Sequence, residues 1–177
     1  MKIEEIRNSW RQLVAQKELK QVSELLRQSP ERDKLMQRGR ELCAHTFVFD
    51  HPWDMERCLT PHTMETMDWN QVFNDDEEWT FMLNRMDYWS ALAKAALISQ
   101  DTRYLDQAKD FLLDWIEQHP RIEPSLSTRT LDTGIRVVNM LECAMLLEAS
   151  EKLNDEELTL ILTSVENQLA YLKANYI

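Results

Sequence analysis

Only two of the 177 residues are glycine, Gly39 and Gly134, where ordinary usage of about 7% would supply roughly twelve. Glycine is the residue that lets a backbone take positive φ at no steric cost. A chain this poor in it has no Gly-rich phosphate loop, cannot be collagen or a flexible linker, and lacks the tight hairpin turns that most all-β folds need. What it can do is run in helices joined by short connections. The 44% hydrophobic share and 29% charged residues describe a chain that forms a core.

The net charge is −11, which argues against wrapping duplex nucleic acid through counter-ion release. The charge is uneven: residues 1–49 carry ten Lys/Arg against seven Asp/Glu, and residues 50–80 carry nine acids against Arg57. The opening MKIEEIRNSWRQL spreads charge where a signal peptide would place an apolar run, so a cytoplasmic location is expected. No stretch approaches the ~20 apolar residues that span a bilayer, and a membrane partner is not expected. Cys43, Cys58 and Cys143 show no CxxC spacing. Neither a disulfide framework nor a zinc site is read from them, and Cys143 is expected in the core.

Apolar positions recur at helical spacing from Ile3 to about Arg27 and from Glu31 to about Ala44, with Pro30 between them. Periodicity then stops. Residues 47–76 read as a long ordered loop with Pro52, Pro61, Trp53 and Trp69 and a short extended FVF. Behind the acidic start Asp75–Glu78, a helix is expected over about 77–99. Asp101 caps a second with Tyr104, Leu105, Ala108, Phe111, Leu112, Trp115 and Ile116 on one stripe, ended by Pro120. A third is expected from about Thr128 to Ala149, and Asn154 with Glu157 resembles a capping box opening a last helix to about Asn175. The expectation is one helical domain over 1–177: opening helices 1–46, aromatic loop 47–76 and antiparallel helix hairpins 77–177. Such hairpins could close into a ring or grow as a solenoid, and the spacing leaves that open.

Four segments carry more than periodicity: FVFDHPWDME, MDWNQVFNDDEEWTFMLNRMDYWSALAKAAL, DTRYLDQAKDFLLDWIEQHP and STRTLDTGIRVVNM. In this order they resemble the N-terminal domain of the heparinase II/III family of polysaccharide lyases, over about half the chain. The resemblance implies an all-α fold, part of an incomplete (α/α) toroid that a β-sandwich follows in the family. It also implies a uronic-acid-containing oligosaccharide or polysaccharide as partner, cleaved by β-elimination, and no cofactor. The tryptophan that family members carry just before R-TLD-x-GIR is Ser127-Thr128 here, so one groove wall differs. The family's catalytic Asn, Tyr and His lie mostly later in the chain, so no catalytic residue is carried over; the chain is expected to be the N-terminal piece of a longer protein.

β-Elimination next to a carboxylate requires neutralisation of that carboxylate, a base, and a proton for the leaving oxygen. Asn and Arg suit the first task, through charge-assisted or bidentate donors. The candidates in the matching motifs are Asn84, Arg85, Arg129 and Arg136. Arg85 either meets sugar or pairs with Asp87, Asp132 or another acid. Asp132 and Arg136, four apart on one helical face, are read as an ion pair. A mid-helix glycine costs ~1 kcal/mol against alanine, so Gly134 is expected to permit a close approach, of a helix before a ligand. Among the tryptophans, Trp79 and Trp115 fall on core stripes, while Trp53 and Trp89 are candidate sugar platforms. His51 beside Pro52 either titrates in a site or is solvated. The run Asp75–Glu78 lacks the spacing and glycine of a calcium loop, and no metal site is expected.

The net charge of −11 would repel a heavily charged polymer over the Debye length of about 8 Å at physiological salt, so either the rest of the protein is basic or the substrates are short and weakly charged. Two other readings stay open: a non-catalytic helical module that binds glycan or protein through the Trp53 loop, and a scaffold that contacts protein alone. An open toroid segment leaves an apolar face unpaired, so self-association of the isolated piece is expected.

Overall fold

The computed structural model describes residues 3–50, 58–73 and 75–175. Eight α-helices appear among them: α1 Ile3–Leu13, α2 Gln16–Gln28, α3 Arg32–Cys43, α4 Glu77–Arg85, α5 Trp89–Ser99, α6 Arg103–Gln118, α7 Thr130–Ala149 and α8 Asp155–Asn175. The mostly all-α expectation holds. Within the expected loop 47–76, however, the FVF segment forms β1, Thr46–Phe49, antiparallel to β2, Cys58–Thr63. Phe47 faces His62 across the ladder and Phe49 faces Cys58. Phe47 and Phe49 alternate inward and are buried, which a two-residue strand period achieves and a loop does not.

Two expected helices are each split in two. The first breaks at Val14 and Ala15, where Ala15 turns extended. The break lets α1 pack on α7 and α8 while α2 packs on α5; a straight helix could not reach both. Gln16 fastens the joint by donating to the Ala149 carbonyl at 2.7 Å. The expected 77–99 helix breaks at Met86, whose φ of 58° is left-handed. That conformation costs a residue with a Cβ about 1–2 kcal/mol, and the break also strands the last carbonyls of α4. Side chains of α7 take them: Arg136 donates to the Asn84 carbonyl at 3.0 Å and Asn139 to the Arg85 carbonyl at 2.8 Å.

The other starts follow the caps. Asp76 accepts from the Glu78 amide and Asp101 from the Arg103 amide, each at 3.0 Å. Before α8 the capping box closes both ways, Glu157 amide to Asn154 Oδ1 at 2.8 Å and Asn154 amide to Glu157 Oε2 at 3.0 Å. The core joins Leu42, Phe47, Trp79, Leu83, Leu92, Phe111, Trp115, Leu147 and Leu158, all buried. Trp79 and Trp115 sit there as their stripes require. Cys143 is buried too, and burial pushes its thiol well above the ordinary range.

The glycines divide differently from the expectation. Gly39 is the close approach: a Cβ there would lie 2.5 Å from the Ala95 Cβ, where α3 crosses α5. Gly134 is not, since a Cβ there meets nothing within 4 Å. Gly134→Ala should therefore raise stability by about 1 kcal/mol through helix propensity alone, a rise of about 2–4 °C in Tm. Thermal unfolding that shows a loss instead would mean that the helix needs glycine for some other reason.

Candidate functional site

The motif residues converge where the last turn of α4, a short 3-10 turn at Leu126–Thr128 and the first turns of α7 meet. Two layers are distinguishable, one buried and neutral in its acceptors, the other charged and partly open.

The inner layer is built around Arg136 and Asn84, both with no exposed surface. A buried guanidinium must place its donors or pay the full desolvation cost. Arg136 donates through Nε to Gln168 Oε1 at 2.9 Å, through Nη1 to the carbonyls of Ser127 at 2.8 Å and Asn84 at 3.0 Å, and through Nη2 to Thr133 Oγ1 at 3.0 Å. It also lies over the Trp115 ring, 4.0 Å from the centroid. Burial pushes its pKa down to about 9, with Asp132 opposing, so it stays cationic at neutral pH. The expected intrahelical Asp132–Arg136 pair is replaced by this arrangement, because Asp132 is taken by two other arginines. Asn84 donates to the carbonyls of Trp69 at 2.7 Å and Thr80 at 2.8 Å and accepts from Trp115 Nε1 at 2.9 Å. Both its N–H groups and its carbonyl oxygen are engaged, which ties α4 to the turn at Trp69 and to α6. Arg136 and Asn84 are thus framework residues.

The outer layer turns on Asp132, itself fully buried. Arg85 Nε donates to Asp132 Oδ1 at 2.7 Å, and Arg85 Nη2 reaches Glu78 at 3.3 Å. Arg129 Nε pairs with Asp132 Oδ2 from the other side. The Arg129 guanidinium also covers the Phe81 ring at 3.6 Å. Of the two cations Arg129 is the open one, its side chain 36% exposed against 14% for Arg85. A guanidinium held on one edge by a buried carboxylate and beneath by an aromatic face has lost much of its rotamer freedom in advance, so little is left to lose when an anion arrives.

Trp89 is half-buried at the start of α5, where its Nε1 donates to Asn139 Oδ1 at 3.3 Å. Through Asn139 it is linked to the Arg85 carbonyl. The structure therefore brings Asn84, Arg85, Arg129, Arg136 and Trp89 into one network, with Arg129 the most open of the arginines. His51 and Trp53 lie outside the described residues. No group of three or more His, Cys, Asp or Glu side chains able to hold a metal ion occurs among the described residues.

Several members escaped the sequence reading. Gln168 is one: it continues the apolar stripe Leu158, Ile161, Val165 of α8, and a polar residue on such a stripe is itself a sign of a buried hydrogen bond. Phe81 carries no local sign, and Glu78 stands in the sequence only as part of the acidic helix start Asp75–Glu78. Ser127 was singled out only as a missing tryptophan. In the fold its amide donates to Asn70 Oδ1 at 3.0 Å, its carbonyl accepts from Arg136, and its hydroxyl meets His119 Nε2 at 2.7 Å.

A family model described as Heparinase II/III N-terminus matches residues 8–177. No curated protein and no solved structure matches the chain.

Proposed function

The chain belongs to the heparinase II/III N-terminus family, and from that membership we propose that it is the N-terminal, substrate-contacting part of a lyase acting on uronic-acid-containing glycans by β-elimination. The observation that supports this reading is the family match over residues 8–177. The half-exposed Arg129 supports the anionic substrate, since it offers charge-assisted donors at the edge of an otherwise paired cluster. On this reading Arg129 and its neighbours hold and orient a uronate carboxylate, and the base and acid of the elimination are supplied elsewhere. The substrates are short oligosaccharides, in keeping with the net charge of −11, and the site of action is the cytoplasm.

The test uses the full-length protein on heparan, chondroitin, hyaluronan and alginate oligosaccharides, following formation of the unsaturated uronate. The expected result is turnover of at least one of them. Arg129→Ala should then raise KM about tenfold with kcat little changed, the pattern of a contact made equally in ground and transition states. Calorimetric binding without turnover on any of the four would replace the lyase with a glycan-binding module. An unchanged KM in Arg129→Ala would remove Arg129 from the groove while leaving the family membership intact.

A further inference from the structure

His119 sits just past the end of α6 and has both ring nitrogens engaged. Its Nδ1 lies 2.7 Å from the Trp115 carbonyl, which can only accept, so Nδ1 carries the hydrogen and Nε2 of the neutral ring is an acceptor. The Ser127 hydroxyl, 2.7 Å from Nε2, is then the donor. From Ser127 the chain of hydroxyls continues to Ser125 Oγ at 2.9 Å, from there to Thr128 Oγ1 at 3.0 Å, and ends where Thr128 donates to the Glu123 carbonyl. Ser127 and Thr128 are buried and Ser125 is exposed. An unbroken line of hydroxyls thus connects a half-buried imidazole to the surface.

We propose that His119, Ser127 and Ser125 form a proton-fed latch, in which the hydroxyl line admits a proton to the ring and the charged ring loosens segment 119–128 together with the first turns of α7. In the closed state Ser127 donates to His119, and the Ser125 hydroxyl donates to Ser127. When Nε2 gains a proton the line reverses. The imidazolium donates to Ser127 Oγ, Ser127 turns its hydrogen to Ser125 Oγ, and Ser125 turns its own to Thr128 Oγ1, while Thr128 keeps its bond to Glu123. No hydrogen bond is lost in the reversal.

The cost is electrostatic. The His119 ring stacks on Trp115 at 4.0 Å with 8° between planes, and the Arg136 guanidinium lies 4.0 Å over the same indole. A second cation is therefore created beside a buried first one. Arg136 is what grips the Ser127 carbonyl, so repulsion between the two acts on the joint that fixes the 3-10 turn and, immediately after it, Arg129. Other charges face the ring as well. Asp114 of α6 favours the charged form weakly; Glu117 of α6 and Glu156 and Glu157 of α8 line the groove of about 660 Å³ that His119 borders. Glu157 is neutralised by Lys109 at 2.9 Å. Burial outweighs these acids, so the His119 pKa lies below its ordinary value, with the Trp115 carbonyl opposing and Arg136 adding to the depression.

The direction in pH follows. The unfolded chain takes the proton more readily than the folded one, so the neutral latch contributes its full stability above about pH 6.5. That contribution is lost as pH falls from there through the depressed folded value, and below it the loss stops growing. The window is above the range of ordinary carboxylates, which separates it from general acid unfolding.

The experiment is an NMR titration of His119 in the intact protein, paired with amide hydrogen-exchange protection at about pH 7.5 and about pH 5.5. Protection of residues 121–136 should fall relative to α8, by at most about tenfold for each pH unit crossed, the limit for linkage of one proton. His119→Gln should abolish that pH dependence. Ser125→Ala, at an exposed position, should fold normally and shift the His119 titration further downward, because Ser127 then has no acceptor for its hydrogen once the ring donates to it. The latch is refuted if His119 titrates at its ordinary value with unchanged protection, or if Ser125→Ala leaves the titration where it was.

Discussion

Arg136→Ala is expected to cost about 3–5 kcal/mol, the range seen when one member of a buried charged network or a large core side chain is removed. For a chain of this size that is a fall of roughly 10 °C in Tm. The cavity is one part of the loss. The larger part is the set of acceptors left behind: the carbonyls of Ser127 and Asn84, Gln168 Oε1 and Thr133 Oγ1, each of which loses a partner in a place that water does not reach. Arg136→Met separates the two. Met refills much of the volume and supplies no donor, so it should recover little of the loss. If Met restores stability, the site is packing alone; if alanine costs less than ~1 kcal/mol, Arg136 is no hub.

Glu148→Ala should release α1 from the rest of the molecule. Glu148 lies in α7 with no exposed surface, and its carboxylate accepts from Arg7 at 2.7 and 2.8 Å and pairs with Arg11 at 2.8 Å. Among the described residues Arg7 would keep only exposed Asp155 as an ionic partner, at 2.7 Å. Because Arg11 is 46% exposed and can turn to water, the expected loss is about 2–4 kcal/mol, below the figure for a pair buried on both sides. The effect should be local. Amides of residues 3–13 should exchange early and proteases should cut near Val14, while α4 to α8 keep their protection. Unchanged exchange in α1 would show that apolar contacts of Ile3, Ile6 and Trp10 with the core hold it without Glu148.

Both variants act on long-range bonds, and that marks the boundary of what could be read from the chain. Asp132 illustrates it. Its spacing to Arg136 suggested a pair within one helix, the interaction that an i, i+4 pattern makes visible. Its actual partners are Arg129, three residues away, and Arg85, 47 residues away. Arg85 paired with an acid was one of two open readings, and Asp132 and Glu78 are the acids it meets. Asn84, a groove candidate by sequence, lies inside the apolar face of α4. Polar side chains that satisfy each other across helices look in sequence like polar side chains that face water.

Sequence by itself determined the helices and their surest ends. Scarcity of glycine excluded turn-dense folds, apolar stripes placed Trp79 and Trp115 in the core, and the Asn154–Glu157 box opened α8, because each of these interactions closes within about one helical turn or one face. Tertiary structure alone decided where helices break and whom the charged residues meet. Met86 turns left-handed although nothing local demands it, because α7 supplies Arg136 and Asn139, 52 and 54 residues further on, to the carbonyls of Asn84 and Arg85 left open by the break. A stripe records which face is buried; the identity of the group across that face exists only once the helices have docked.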